Sequence, residues 1–526
     1  MTTTRFLKGS SALRGLTLAA ATLVPLAASA DQIVLRSQDG TIDIAGEFIS
    51  FEENIYLIRT ALGELRLSAE RVSCEGAACP NFEAVEVDVT FAGSDTMGFG
   101  VLPLMLEGYA GHLDAEATIV SGGQDEIVAS FVGDAGFGDE LGSYMVNSTN
   151  SGDAFASLLQ ETAQIGMASR RIRPDEARAL RDAGAGNMIS PDQEHIVAID
   201  SIVVITHPDN PVKSVAMDDL AAIYAGRITN WSQLGGPDLA IRVVDRPIDS
   251  GTRNVFADRV LGGARVTPAA AIAADNNEMA RMVNEDPGAI GYTGYAFQRG
   301  AKAMTLVNAC GIPMTPDAFS ARTEEYSLQR RLYLYNRADN LSGDAQQFID
   351  FAKSEDADPV IIKAGFIDLG VDRRQQALDG DRARQLLDPS VDPFEGRLMT
   401  EMLNTMTEFD RLSTTFRFRT GSSKLDERAV IDMERLTRYL EGRPSGVKVK
   451  IVGFTDSVGA FEGNRILAQN RASQVMDELA AFAGDRIAGV ELSTAAYGEI
   501  APTACNVSDA GRAINRRVEV WIERAG

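Results

Sequence analysis

The stretch VGFTDSVGAFEGNRILAQNRASQV, residues 452–475, decides the fold and the chemistry of the C-terminal part of the chain. Asp456 follows a strand-like apolar run and lies in the turn before a helix predicted over residues 462–482. Asn464 and Arg471 lie seven residues apart on that helix, so they align within about 20° of each other beside its apolar face. A guanidinium that close to buried side chains needs a partner, and Asp456 is the candidate.

The segments around this stretch predict a compact βαβαβ domain over residues 412–526. Strands are expected at TTFRFR, VKVKIVGF, ELSTAAYGE and RRVEVWIE, and a second helix is expected over residues 426–439. The apolar face of the 462–482 helix is expected to comprise Leu467, Ala468, Ala472, Val475 and Leu479.

Several spaced motifs in this region resemble the OmpA-like peptidoglycan-binding domain. They are G-x-T-D-x-x-G from Gly453, N-x-x-L-x-x-x-R-A from Asn464 and N-R-R-V-E-V from Asn515. The segment FRTGSSKL at residues 418–425 is similar to the opening strand and turn of that family. The resemblance covers roughly residues 412–526, and it implies that this domain attaches the protein non-covalently to peptidoglycan.

The ligand that this resemblance implies is the diaminopimelate residue of the peptidoglycan stem peptide. The free end of that residue carries one ammonium and one carboxylate, which Asp456 and Arg471 complement in charge. Arginine suits a carboxylate because its planar fork donates two parallel hydrogen bonds. Asn464 and Arg517 are carried over as further pocket or supporting residues. The alternative is that Asp456 and Arg471 pair only with each other and stabilise the fold.

Residues 83–366 alternate strand-like and helix-like segments, which predicts an α/β domain long enough for two lobes. Small and hydroxyl residues lie where helices are expected to begin, and the free N–H groups and dipole of a helix N-terminus attract anions. Arg246 would add a fork of donors to the same ligand. The segments that carry these residue types are GSDTM at 93–97, NSGDAF at 150–155 and RPIDSGT at 246–252.

The motifs of this region resemble those of the phosphate-binding proteins of ABC transporters. The matching segments are GSDTM at 93–97, SR at 169–170, DSIVVITHPDNP at 200–211, LAAIYAGRITNW at 220–231, RPIDSGT at 246–252 and GAIGY at 288–292. The resemblance implies a two-lobed periplasmic binding protein fold that holds phosphate, or another small oxyanion, in the cleft between the lobes. It also implies an ABC transporter permease as a partner. The positions that match the phosphate contacts of that family are Ser94, Thr96, Ser151, Arg246, Ser250, Gly251 and Thr252.

Two positions depart from the pattern of those phosphate-binding proteins. Gln164, thirteen residues after Ser151, stands where the family usually has an Asp that accepts a hydrogen bond from protonated phosphate and so favours phosphate over sulfate. Asp153 stands where a neutral residue is usual, and it would repel an anion unless its side chain turned outward. The ligand is therefore expected to be phosphate or another small oxyanion, with loss of the site as the alternative.

Residues 1–30 have the pattern of a secretory signal peptide. Basic residues precede an apolar run at residues 16–27, and ASA at residues 28–30 is a cleavage site of small residues. We expect cleavage near Ala30 and a mature protein in the periplasm, associated with peptidoglycan. The alternative, a transmembrane anchor, fits less well because the apolar run is short and contains Pro25.

Two further segments complete an α/β multidomain chain. Residues 31–82 contain short alternating runs separated by turn signals, which predict a small β domain. Residues 367–411 are charged and helix-prone, and they predict a helical linker with a helix that packs on a neighbouring domain.

The cysteines and histidines favour disulfides over metal sites. Cys74 and Cys79 are the best pair for a disulfide, which export to an oxidising compartment permits, while Cys310 and Cys505 are either free or paired with each other. The three histidines are scattered, so the sequence predicts neither a metal site nor a cofactor.

The formal net charge of −24 argues against nucleic acid as a partner. The sequence favours a peptidoglycan-tethered protein that binds an anion and serves ABC-type uptake. The alternative is a structural or scaffolding envelope protein whose binding domain has lost its transport function. No motif positions the paired carboxylates or the metal-activated water that a wall-cleaving enzyme needs, so an enzyme is not expected.

Overall fold

The chain divides into two units between Val85 and Glu86. The computed structural model describes residues 32–37, 43–52, 55–60, 63–68, 72–76, 78–79, 87–123, 125–387, 393–418, 425 and 428–524. The predicted signal peptide, residues 1–30, lies outside the described residues.

The N-terminal unit is a five-stranded antiparallel sheet, as the alternating runs predict. Its strands are β1 (Gln32–Ser37), β2 (Asp43–Glu52), β3 (Ile55–Thr60), β4 (Gly63–Ser68) and β5 (Val72–Glu75), in the spatial order β4-β3-β2-β1-β5. Ile33, Leu35, Tyr56 and Ile58 alternate along their strands and are buried together. A disulfide joins Cys74 to Cys79 beside this cluster.

The central domain is built on an 11-stranded mixed sheet and a separate three-stranded sheet, with helices around them. Its strands are β6 (Val89–Ser94), β7 (Glu116–Ser121), β8 (Glu126–Val132), β9 (Glu140–Thr149), β10 (Ile165–Ala168), β11 (Glu194–Thr206), β12 (Ser214–Ala216), β13 (Arg242–Asp245), β14 (Ala271–Ile272), β15 (Ala289–Gly294), β16 (Lys302–Ala303), β17 (Thr305–Val307), β18 (Pro313–Met314) and β19 (Gln329–Asn336).

Eleven α-helices lie in the described part of this domain. They are α1 (Asp95–Gly98), α2 (Leu102–His112), α3 (Gly133–Gly136), α4 (Ser151–Gln160), α5 (Pro174–Asp182), α6 (Met217–Tyr224), α7 (Gly251–Phe256), α8 (Asn276–Glu285), α9 (Ala318–Arg322), α10 (Gly343–Lys353) and α11 (Asp358–Lys363). The last turn of α7 continues into a short π-helical segment, Ala257–Leu261.

Strand β11 belongs to two lobes. All 13 of its residues are buried, including the polar residues Glu194, His195, Asp200, Ser201 and Thr206. Residues 194–201 pair with β19 in the first lobe, which comprises β6–β10, and residues 202–206 pair with β15 in the second lobe, which comprises β12–β18. The chain returns from the second lobe to the first through residues 315–328, here called the return segment.

The C-terminal domain has a second sheet with helices on it, and it contains the predicted strands and helices together with one further helix, Asp509–Asn515, before its last strand. Its elements, with those that lead into it, are β20 (Arg373–Arg374), α12 (Asp381–Gln385), α13 (Pro393–Glu408), β21 (Phe409–Arg417), α14 (Ala429–Glu441), β22 (Lys448–Phe454), α15 (Phe461–Ala483), β23 (Glu491–Gly498), α16 (Asp509–Asn515) and β24 (Arg517–Glu523). The spatial order of the strands is β20-β21-β24-β22-β23, with only β22 and β23 parallel.

The segment predicted as a linker, residues 367–411, contributes to the C-terminal domain. Met402 and Met406 of α13 are buried with Phe454 and Tyr497 in one apolar cluster. Strand β21 begins at Phe409, three residues before the predicted start of the domain, because the helix passes directly into the strand without a turn.

The C-terminal domain contacts the first lobe and the return segment through ion pairs. Arg435 pairs with Asp358 of α11. Arg411 pairs with Glu325 of the return segment, with the guanidinium nitrogen 2.7 Å from the carboxylate oxygen. Both pairs are largely buried, so they help to fix the orientation of the C-terminal domain relative to the return segment and the first lobe.

A disulfide joins Cys310, between β17 and β18 of the second lobe, to Cys505 of the C-terminal domain. The two cysteines that the sequence left open are paired across 195 positions of the chain. The C-terminal domain is therefore attached to both lobes.

Among the helices of the described residues, none is both long enough and apolar enough to cross a bilayer.

Candidate functional sites

The first candidate site lies where strands of both lobes end. Ser94 is the last residue of β6, Ser169 follows β10, and Arg246 follows β13. Ser151 begins α4, and the hydroxyl of Ser250 caps α7 by accepting the N–H of Arg253 at 3.3 Å. The carboxyl ends of neighbouring strands meet at one place, so the structure brings these residues into one buried group.

Gly251 brings the second lobe against two serines of the first lobe. Ser151 Oγ and Ser169 Oγ are 3.1 Å apart, and the N–H of Ser169 donates to Ser151 Oγ at 3.0 Å. A Cβ atom at position 251 would lie 2.3 Å from Ser151 Oγ and 2.4 Å from Ser169 Oγ. Only glycine permits this approach, and the two lobes are therefore closed onto each other at this point.

Arg246 is held in this site by two side-chain acceptors and by the carbonyl of Ala274, which accepts from its Nη2 at 3.2 Å. Its Nη2 donates to Asp95 Oδ2 at 2.7 Å, and its Nη1 donates to Asn276 Oδ1 at 3.0 Å. Within the described residues, Arg246 Nε and the hydroxyl of Ser94 are buried and have no hydrogen-bond partner. Buried donors are nearly always satisfied, so these two leave room for an acceptor such as an oxyanion.

The two predicted threonine contacts face each other across the lobes. Thr96 Oγ1 and Thr252 Oγ1 are 3.4 Å apart. Arg330 of β19 donates to Thr252 at 2.8 Å and to Thr96 at 3.2 Å, and it forms an ion pair with Asp200 at 2.7 Å. A second buried arginine therefore joins both lobes at the same site.

The prediction from sequence missed several members of this site. Asp95 lies inside the GSDTM motif, and Ser169 begins the SR motif, so both could have been found from the motifs that carry their neighbours. Asp200 likewise begins the DSIVVITHPDNP motif, whereas Asn276 and Arg330 come from separate elements with no local signal.

The expectation that Gln164 bears on anion selection is wrong. Its Nε2 donates to the carbonyl of Asp88 at 3.0 Å, and its Oε1 accepts from Ser342 Oγ at 2.9 Å. Gln164 precedes β10 whereas Ser169 follows it, and a four-residue strand separates its ends by about 13 Å. The side chain of Asp153 is likewise engaged locally, accepting from Asn150 Nδ2 at 2.7 Å.

The second candidate site surrounds Asp456, between β22 and α15. Its Oδ2 lies 2.7 Å from Arg516 Nη1, and its Oδ1 accepts the N–H of Val458 at 3.1 Å. The expectation that Asp456 is the partner of Arg471 is therefore wrong. Arg516 lies 60 residues after Asp456, just before β24, and the sheet brings it to the carboxylate.

Arg471 keeps an unused donor in this site. Its Nη1 is buried without a hydrogen-bond partner among the described residues, and its guanidinium carbon lies 5.1 Å from the ring centre of Phe418. Burial lowers the pKa of Arg471, the neighbouring Arg516 lowers it further, and Asp456 raises it. Two guanidiniums and one carboxylate therefore share the site, and a carboxylate ligand would balance their charge.

Asn464 and Arg517, the two further residues that the resemblance implied, differ in their distance from Asp456: Asn464 contacts it and Arg517 does not. Asn464 is buried and donates to the carbonyl of Asp456 at 3.2 Å, so it supports the turn that holds this carboxylate. Arg517 is fully buried, pairs with Glu519 at 2.7 Å and lies over the ring of Phe454. Neighbouring strand residues point to opposite faces, so Arg516 reaches Asp456 and Arg517 does not.

Two known families match separate parts of this chain. Residues 83–356 match the model of the PBP superfamily domain, and residues 417–516 match that of the OmpA family. The first match covers more than half of the chain. The protein belongs to the PBP superfamily and carries an OmpA-family domain near its C-terminus.

Individual relatives match one domain or the other. The phosphate-binding protein PstS of Bacillus subtilis is 32% identical over 221 residues, which are 41% of this chain and 68% of that protein. PstS of Borreliella burgdorferi is 26% identical over 183 residues, 33% of this chain and 65% of its own length. Outer membrane porin F of Pseudomonas aeruginosa is 35% identical over 118 residues, 22% of this chain and only 33% of the porin.

A solved structure, an ABC-type phosphate transport receptor from Vibrio cholerae, is 24% identical to this chain with a TM-score of 0.40. The match covers 53% of this chain and 99% of that one.

Proposed function

We propose that this protein binds phosphate between the lobes of its central domain and peptidoglycan through its C-terminal domain, in the periplasm. One observation carries the proposal. Arg246 in the central site and Arg471 in the C-terminal site each hold a buried donor that no described protein atom accepts. Each site thus provides an arginine for an anionic group, and neither site has the constellation of a catalyst.

The central site suits phosphate because it offers both donors and an acceptor. Arg246 and Ser94 supply free donors, and Asp95 supplies a carboxylate. Phosphate at neutral pH retains a proton that a carboxylate accepts, whereas sulfate has none and would be repelled. Asp95 takes the selective role that the sequence interpretation assigned to the position of Gln164. The PstS relatives are phosphate-binding proteins, which supports the same ligand.

The C-terminal site suits a zwitterion that remains attached to a polymer. Arg471 would hold the carboxylate of diaminopimelate, and Asp456 would exchange its contact with Arg516 for the ammonium of the ligand. Asn464 would keep the turn of Asp456 in place. The match of residues 417–516 to the OmpA family supports this assignment.

Calorimetry with separate ligands tests both halves of the proposal. Phosphate, sulfate and a diaminopimelate-containing peptide are titrated into the full chain and into the variants Arg246→Ala and Arg471→Ala. We expect Arg246→Ala to lose only phosphate binding and Arg471→Ala to lose only peptide binding. Loss of peptide binding in Arg246→Ala, with Arg471→Ala unaffected, would show that the two tasks are assigned to the wrong domains.

The place of this protein in uptake has two candidate answers. Delivery of phosphate to an ABC transporter permease follows from the likeness to PstS proteins. A scaffolding function is favoured by the C-terminal domain, which is attached to both lobes and restrains the opening that delivery requires. A bound ligand at a hundred times its dissociation constant stabilises the folded state by about 2.7 kcal/mol. If phosphate produces no such shift in thermal unfolding, the scaffold is the better answer.

A further inference from the structure

A basic groove lies outside the enclosed anion site. Its volume is about 380 Å³, and its lining comes from the segment after β10 in the first lobe, from residues 254–259 in the second lobe and from β19. Six arginines line it: Arg170, Arg171, Arg173, Arg259, Arg330 and Arg331. Asp258 and Glu324 are the acids of the lining. Such a concentration of guanidinium groups is unexpected in a chain of net charge −24.

Four of the six arginines are neutralised by carboxylates of the protein. These pairs are Arg170 with Glu176 at 2.7 Å, Arg171 with Glu194 at 2.8 Å, Arg330 with Asp200 at 2.7 Å and Arg331 with Glu324 at 2.6 Å.

Arg173 and Arg259 are different from the other four. Both are exposed and form no ion pair within the described part of the chain. Arg170 adds a further unsatisfied donor, because the residue is 8% exposed and its Nε has no hydrogen-bond partner among the described residues. The groove therefore offers free donors on both walls, with Asp258 as an opposing charge on the second-lobe wall.

The groove and the enclosed site share a wall but are separate. Arg170 directly follows Ser169, and Arg330 forms the floor of the groove while donating to Thr96 and Thr252 on the other side. An anion in the groove would thus lie one layer of side chains outside an anion in the enclosed site. Bridging Arg173 and Arg259 would require a ligand that reaches from the first lobe to the second.

We infer that this groove is a second anion-binding site, for a ligand with two or more phosphoryl groups. Guanidinium forks bind phosphoryl oxygens bidentately, and several such groups along one ligand match several arginines along one groove. The volume lies at the lower end of the range of small-molecule sites and exceeds what one small oxyanion fills. By contacting both walls, the ligand also holds the two lobes together.

Titration of the full chain with inorganic tripolyphosphate, in buffer saturated with orthophosphate, tests this inference. Orthophosphate fills the enclosed site, so failure of the groove is distinguished from failure of the proposed phosphate site. We expect tripolyphosphate to bind with an affinity that falls as salt rises. Arg173→Glu and Arg259→Glu should each weaken binding about tenfold, the equivalent of about 1.4 kcal/mol.

Two matched variants sharpen the result. Asp258→Asn removes the opposing charge and should tighten tripolyphosphate binding about threefold, about 0.6 kcal/mol. Arg227→Glu makes the same charge change on an exposed arginine of the second lobe outside the groove, and it should leave the affinity unchanged. The inference is overturned if orthophosphate abolishes tripolyphosphate binding, or if Arg227→Glu weakens it as much as the two groove variants do.

Discussion

The two candidate sites use their arginines in opposite ways. In the central domain, Arg246 is wholly buried and ion-paired to Asp95, with only Nε left free. In the C-terminal domain, Arg471 is half-buried, and the nearby carboxylate of Asp456 is paired with Arg516 instead. A free ion can be enclosed between two lobes and stripped of water. Under the proposed function, the C-terminal ligand remains attached to a polymer and cannot be enclosed, so its site lies at the surface, where electrostatic interactions are weaker than in the interior.

The largest effect is expected from breaking the enclosed arginine pair. Arg246→Ala leaves Asp95 buried and uncompensated, which should lower the free energy of unfolding by about 3–5 kcal/mol. Denaturant unfolding with and without phosphate measures the change. The double variant Arg246→Ala/Asp95→Ala should be less destabilised. If phosphate still stabilises Arg246→Ala as much as the original chain, the enclosed site is wrongly assigned.

The surface site should lose binding rather than stability. Arg471→Ala is expected to weaken co-sedimentation with purified peptidoglycan sacculi about a hundredfold, about 2.8 kcal/mol, because the ligand carboxylate loses its charged donor. The matched control is Arg465→Ala on the same helix, whose guanidinium pairs with Glu462 at 2.7 Å. Equal losses in the two variants would mean that the basic surface of α15 matters and the pocket does not.

The disulfide between the second lobe and the C-terminal domain closes a loop of 195 positions. We expect Cys310→Ser to lower the free energy of unfolding of residues 86–526 by about 2–4 kcal/mol, while both ligands still bind. Thermal unfolding followed by calorimetry measures the shift. Cys74→Ser, which opens the disulfide of the N-terminal unit, is the control. An equal shift of the same transition in the control would contradict the assignment.

Acid should weaken the contact between the return segment and the C-terminal domain. Burial alone would raise the pKa of Glu324, but the guanidiniums of Arg331, Arg428 and Arg417 hold this pKa well below its usual range. The stabilisation is therefore present above the unfolded-state pKa of about 4.3 and is lost as the pH falls below it. Between pH 5 and pH 3 the loss should be about 1–2 kcal/mol.

The control for this pH dependence is Glu324→Gln. This variant should be less stable at pH 7 and should lack the part of the acid-induced loss that the carboxylate causes. Urea unfolding at several pH values measures both quantities. An unchanged pH dependence in Glu324→Gln would assign the loss to other carboxylates.

For the last variant, at position 164, we expect no change in anion preference. Gln164→Asp should leave the preference for phosphate over sulfate unchanged, because this side chain bonds to Asp88 and Ser342 at the far end of β10. Competitive calorimetry with the two anions measures the preference. Any marked gain in phosphate selectivity would return position 164 to the site and remove Asp95 from its selective role.

The helices of the C-terminal domain were predictable because their buried apolar residues recur at helical spacing in the sequence. The helices predicted over 426–439 and 462–482 occur as Ala429–Glu441 and Phe461–Ala483. The one error on the apolar face is Leu467, which is 42% exposed. It lies about 100° around the helix from Ala468, outside the stripe that faces the sheet.

The sites were predictable only as far as single motifs reach. Asp456 and Arg471 lie in one short stretch of sequence, so its motif was enough to predict that both belong to the same site. Their actual relationship depends on Arg516, which only the sheet brings near. In the same way, Arg330 of β19 donates to Thr96 in the central site although the two residues are 234 positions apart in the sequence. Partners that meet only through tertiary structure leave no spacing in the sequence.

The two disulfides set different conditions for maturation of the chain. Cys79 finds Cys74 only five positions away, so this pair can form while the rest of the chain is still unfolded. Cys310 must wait for Cys505, 195 positions later, and it remains an open thiol until the C-terminal domain has folded against the second lobe. The entropic cost of closing the longer loop in the unfolded chain is about 3 kcal/mol higher than that of closing the shorter one. The long bond therefore forms last, and its presence marks a molecule in which both domains have found their places.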